Sequence, residues 1–159
     1  MTTLSGTAFS IAPENIRTLA LTGAAGSGKT TLAEALLQQA GAIATAGTVE
    51  RGSTVSDHDP LEIKSQHSLQ SALMHMQRGD TRIHMIDTPG LPDFAGQILP
   101  ALEAVETAAI VIDAAKGIEP MTVRLMQYAA QCNLDRVIIV NKIDAAEADL
   151  PGLLQQHQP

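Results

Sequence analysis

Gly23-Ala24-Ala25-Gly26-Ser27-Gly28-Lys29-Thr30 fits the pattern G-x-x-x-x-G-K-S/T, with Thr31 following in the same turn. Glycines and small side chains let a backbone fold tightly round phosphate, so that successive N–H groups point inward. Lys29 then neutralises the β- and γ-phosphates of a nucleotide. The Thr30 hydroxyl is a hard oxygen ligand of the kind Mg²⁺ takes. A turn that merely joins strand to helix leaves that lysine unexplained, because a helix start disfavours a cation.

Two further stretches belong to the same chemistry. Asp87-Thr88-Pro89-Gly90 ends an apolar run, and strand ends are where open α/β sheets place their ligands. Asp87 there holds Mg²⁺ through its water, and the Gly90 N–H, bare of any side chain, bonds the γ-phosphate and registers its loss. By itself that string is also a good β-turn. Asn141-Lys142-Ile143-Asp144 follows another apolar run. The Asp144 carboxylate accepts two hydrogen bonds from guanine and would be left unpaired by adenine. Asn141 reaches the other edge of the base, and the Lys142 stem lies along its face. A solvated polar turn is the bland alternative for these four residues.

Elements must carry these stretches. Ile16 to Thr22 reads as a strand and Thr30 to Ala40 as a helix stopped by Gly41. Ala42 to Gln66 has no helical or strand period, and loops of that length are functional or disordered. Ser68 to Met76 and Thr81 to Asp87 form an antiparallel hairpin about Arg78-Gly79-Asp80. Gln97 to Glu106 and Met121 to Cys132 read as helices, and Ala108 to Ile112 and Arg136 to Val140 as strands buried on both faces. Asp149 and Pro151 cap and start a last helix. Strands alternating with helices predict an α/β fold, mainly parallel with one antiparallel strand and helices on both faces.

Bulk properties narrow the classes. The 159 residues are 45% hydrophobic, enough for the core of one domain, and with Phe9, Phe94 and Tyr128 the only aromatics that core is aliphatic and alanine-rich. Met74, Met76 and Met85 alternate as packed strand residues do. A net charge of −7 repels phosphate at long range, so local dipoles and a metal must hold any nucleotide, and direct nucleic-acid binding is not expected. Cys132 is single, which suits a reducing compartment and reads as a small buried hydrophobe on a helix. No apolar run spans a membrane and no secretion signal begins the chain, so the sequence reading is a cytoplasmic protein; a monomer is the separate expectation. His58, His75, His84 and His157 lack metal-ligand spacing, and Asp113 and Lys116 read as turn chemistry.

The three motifs in this order resemble those of the translational GTPases, from about Arg17 to Leu154. Within that group GTVERGSTVSDHDPLE, QHSLQSAL, DTPGLPDF and VNKIDAAEADL look most like the nucleotide-binding domain of elongation factor G-like proteins. The resemblance implies a P-loop NTPase fold of the Ras-like G-domain type. It implies GTP hydrolysis to GDP and phosphate with GTP/GDP and Mg²⁺ as ligands, and a ribosomal partner engaged through domains outside this chain. It also places Ser68 as a hydroxyl ligand to Mg²⁺, although Ser68 is equally the first residue of a plain strand. Lys29 and Gly90 become the catalytic pair. Leu91 departs from the family, which has a water-positioning histidine there, and implies slow turnover. His67 is a weak substitute for it. A nucleotide-gated binding module with little hydrolysis is the second reading, and a P-loop ATPase or kinase, disfavoured by Asp144, the third. The family's closing strand and base-contacting loop exceed the residues after Asp144. The expected organisation is a flexible segment over 1–15 and an incomplete G domain over 16–159, truncated at its C-terminus.

Overall fold

A computed structural model describes residues 11–56, 62, 68–91, 93 and 95–155. The expected roles of His58, His67 and His157, and most of the expected N-terminal segment, lie outside the described residues.

Five strands form one sheet: β1 (Ile16–Thr22), β2 (Ala72–Arg78), β3 (Thr81–Asp87), β4 (Thr107–Asp113) and β5 (Asp135–Asn141). Their order is β2-β3-β1-β4-β5, with β2 antiparallel to β3 and every other pair parallel. The chain leaves β1 for β3 on one side and later returns to β4 on the other. That reversal opens a crevice at the carboxyl end of β1, the usual ligand position in such sheets.

Alternation along the strands divides the core. Leu21, Ala109 and Val111 face helix α1 (Lys29–Gln39), where they meet Ala33, Leu37, Met74, Met76 and Met85. Ala20 and Ala108 face the opposite layer, packing on α2 (Ala95–Glu103) through Ile98 and Leu102 and on α3 (Pro120–Gln131) through Leu125 and Ala129. Helix α4 (Leu150–Gln155) adds Leu153 against Ile110 and Ile112 on that same side. Buried alanines at Ala20, Ala33, Ala108 and Ala129 let helices approach the sheet closely, which is how a core without large aromatics reaches solid density. Asp149 caps α4 as expected, its Oδ1 accepting the Gly152 N–H at 3.0 Å.

Several sequence expectations need correction. Strand β2 begins at Ala72 rather than Ser68, because the Leu69 and Gln70 N–H groups donate to Glu62 Oε1 instead of joining a ladder. Helix α2 ends at Glu103, and Glu106 instead bonds Thr18, its N–H donating to the hydroxyl and its Oε1 accepting the Thr18 N–H, both at 3.0 Å. β5 is not buried on both faces: it is an edge strand, and Val137 is 49% exposed because nothing among the described residues covers that part of its surface. Cys132 caps α3 and is half-buried against the α2–α3 layer.

Candidate functional site

The phosphate loop is built by strand-end geometry. β1 stops at Thr22, and Gly23, Gly26 and Gly28 all take positive φ (154°, 75° and 92°), which other residues adopt only under strain. Gly28 is also the N-cap of α1, and no side chain caps that helix. The first-turn N–H groups of a helix have no intrahelical partner, so this end is left for an anion.

Lys29 turns back into the loop rather than out to solvent. It is 7% exposed, and its Nζ donates to the Gly23 and Ala24 carbonyls at 3.0 Å each. Burial lowers its pKa to about 8, against the opposing pull of Asp87 and Glu119. An ammonium so short of solvation gains strongly from an incoming phosphate. A Cβ on Gly90 would crowd that Nζ and come within 2.8 Å of the Ala25 nitrogen, so Gly90 packs against the loop as only glycine can.

Oxygen ligands converge beside it. Thr30 Oγ1 donates to Asp87 Oδ2 at 2.6 Å and lies 3.4 Å from Ser68 Oγ. One carboxylate and two hydroxyls, all hard donors, fit the few protein oxygens that Mg²⁺ accepts beside phosphate and water. Thr88, buried, ties this end of β3 to the sheet, its N–H and hydroxyl both donating to the Leu21 carbonyl at 3.1 and 2.9 Å.

The third motif reaches the same loop from β5. Asn141 Nδ2 donates to the Ser27 carbonyl at 3.0 Å, and Lys142 Nζ donates to the Gly26 carbonyl at 2.6 Å and to Asp113 Oδ2 at 2.9 Å. Asp113 does form the expected turn, its Oδ1 accepting the Ala115 N–H, but it is also the buried anchor of Lys142. Desolvation pushes the Asp113 carboxyl upward, yet the Lys142 hydrogen bond, the Ala115 and Lys116 amides and the nearby charge outweigh it and hold the group below its ordinary value. The sequence marked only that Asp113 ends a strand, and its place level with Asn141 is set by the β4–β5 register of the folded sheet.

A cleft of about 270 Å³ joins these parts, lined by Ala25, Gly28, Lys29, Thr30, Ser68, Gly90 and Lys142. Thr31 and Leu91 lie on its wall, as do Val49 and Glu50, which sequence reasoning did not single out. Asp144 is exposed, in the turn after Lys142, and does not line the cleft. Among the described residues no three His, Cys, Asp or Glu side chains gather as a metal site, and no helix is long and apolar enough to cross a membrane.

A glycine-bent loop closing on a buried lysine, at the switch point of a mainly parallel sheet, defines a P-loop nucleotide-binding domain. The chain belongs to the elongation factor Tu GTP binding domain family, which matches it over residues 14–158. It is 36% identical over 137 residues to an elongation factor G-like protein of Mycobacterium tuberculosis (strain ATCC 25618 / H37Rv), covering 86% of this chain and 19% of that one. It is 42% identical over 144 residues to peptide chain release factor 3 of Bordetella petrii (strain ATCC BAA-461 / DSM 12804 / CCUG 43448), covering 88% and 27% respectively. A crystal structure from Thermus thermophilus superposes with a TM-score of 0.86 at 38% identity, over 89% of this chain and 21% of that one. The chain thus spans only about a fifth to a quarter of the length of these proteins.

Proposed function

We propose that the chain binds GTP and GDP with Mg²⁺ and hydrolyses GTP to GDP and phosphate, as the nucleotide switch of an elongation factor G-like or release factor 3-like protein on the ribosome. The observation that carries this is Lys29, buried and nearly stripped of water, beside the Thr30–Asp87–Ser68 oxygen group. In this reading the loop from Gly23 to Thr31 takes the phosphates and the Gly90 N–H senses the γ-phosphate. Thr30, Ser68 and Asp87 hold the metal, which supplies charge stabilisation of the transferring phosphoryl group. Asn141 and Lys142 already bond the phosphate loop, and Asp144, exposed on the following turn, reads guanine.

Titration calorimetry of GDP against ADP in Mg²⁺ tests this. Heat for GDP and none for ADP is expected, and Asp144→Asn should move the preference toward xanthine nucleotides. Equal heats for the two would refute it.

Leu91 favours a second reading. It lines the cleft where an apolar side chain cannot orient water, so the domain is a nucleotide-gated binding module with little hydrolysis. Single-turnover release of the γ-phosphate, with and without ribosomes, separates the two. Stimulation to ordinary rates eliminates the module reading, and no release in either condition eliminates the hydrolase.

A further inference from the structure

Glu34 stands in the middle of α1, where a glutamate normally faces water, yet it is 1% exposed. Its carboxylate accepts from two backbone amides of a distant segment: Oε2 from the Gly47 N–H at 2.7 Å and Oε1 from the Val55 N–H at 2.5 Å. A buried carboxylate is tolerated only with strong donors, and these two amides supply them.

Between the two anchor points the chain closes on itself. The Thr48 N–H donates to Ser53 Oγ at 3.0 Å, the Ser53 N–H to the Thr48 carbonyl at 3.2 Å, and the Gly52 N–H to the Val49 carbonyl at 3.0 Å. A Cβ on Gly47 would overlap the Ser53 carbonyl and come within 2.7 Å of the Thr54 nitrogen, so the closed loop has no spare room. At its crown, a single 3-10 turn, Val49 and Glu50 form part of the wall of the cleft that holds Lys29 and Gly90.

We infer that Glu34 is a positioning residue: it staples the 47–55 loop to the helix that begins at Lys29, so that Val49 and Glu50 stand at the nucleotide cleft before any ligand arrives. The inference rests on the nucleotide reading of that cleft. One helix therefore carries both the phosphate-binding lysine at its start and the anchor of the opposite wall in its middle. A loop ordered in advance spares the ligand the entropy of ordering it; a loosened loop makes each binding event weaker.

Two readouts test this on the full chain. Amide hydrogen exchange without nucleotide reads the staple itself: Glu34→Ala should speed exchange at Gly47 and Val55 by roughly tenfold or more, with the α1 amides still protected. Dissociation of a fluorescent GDP analogue reads the coupling. Glu34→Ala and, independently, Gly47→Ala should each release it roughly tenfold faster, with Glu34→Gln, which keeps one acceptor oxygen, in between. Both are measured at a temperature where circular dichroism shows the variants folded. A glutamate with a merely structural role would lower Tm and leave dissociation from the folded protein alone, so faster exchange with unchanged dissociation overturns the coupling. Unchanged exchange at Gly47 and Val55 overturns the staple. A wild-type chain that binds no guanine nucleotide overturns the reading of the cleft, and the coupling with it, while the exchange arm still decides the staple.

Discussion

The buried Lys29 makes nucleotide affinity depend on pH in a way that can be worked out beforehand. With a value of about 8 in the ligand-free protein, the group is charged at neutral pH and loses its proton over a range where an ordinary lysine does not. Phosphate requires the ammonium. At pH 7 roughly nine molecules in ten carry it and at pH 9 roughly one in ten, so affinity should fall about tenfold across that interval. Titrating GDP at a series of pH values, in buffers of different ionisation enthalpy, should show this loss together with uptake of a proton above pH 8. Guanine and phosphate have their own titrations, so the comparison is with Lys29→Met measured at higher nucleotide concentration, whose pH slope should be shallower by that same factor. Folding gives the opposite sign. The folded state binds fewer protons than the unfolded one between about 8 and 10.4, so in that window the lysine's contribution to stability rises with pH, by ~3 kcal/mol in all. Equal pH slopes for wild type and Lys29→Met would refute the claim that this ammonium grips phosphate.

Four further outcomes follow from the same geometry. Leu91→His should raise single-turnover GTP hydrolysis by about tenfold or more while leaving GDP affinity unchanged, as read by phosphate release beside calorimetry. Asp113→Asn should weaken the hold on Lys142, whose side chain is 45% exposed, so solvent limits the loss to about 1 kcal/mol, measurable as a double-mutant cycle with Lys142→Met in thermal melts. Because Asp113 is held below its ordinary value, its contribution to stability is present above about pH 4 and should fade as pH drops through the folded-state value. Gly90→Ala presses a methyl on the backbone of Ala24 and Ala25 and should cost ~1–3 kcal/mol, seen as weaker GTP binding with little change in the circular dichroism spectrum.

What could be read in the sequence was whatever depended on neighbours along the chain. β1 and β3 have the bounds their apolar runs predict, and the residues of the phosphate loop fall between strand and helix as their pattern requires. Bonds between distant segments left no such trace. The run from Ser68 looks like strand until the Glu62 carboxylate takes the Leu69 and Gln70 amides out of the ladder. The aliphatic run of β5 resembles a central strand, yet what covers a strand is decided by its place in the sheet, and β5 stands at the edge. Asp113 has ordinary turn chemistry in its own vicinity, and only folding brings Lys142 to it. Glu34 is invisible in a helix pattern, because nothing local distinguishes a glutamate that seeks amides from one that seeks water.

The bonds from Asn141 to the Ser27 carbonyl and from Lys142 to the Gly26 carbonyl fix a length as well as a contact. On the nucleotide reading proposed above, they lash the grip for one end of the ligand to the grip for the other, so the span between the two is set by the protein itself. On that reading the domain works as a gauge: a molecule bearing the right groups at the wrong separation would satisfy one end or the other, never both at once.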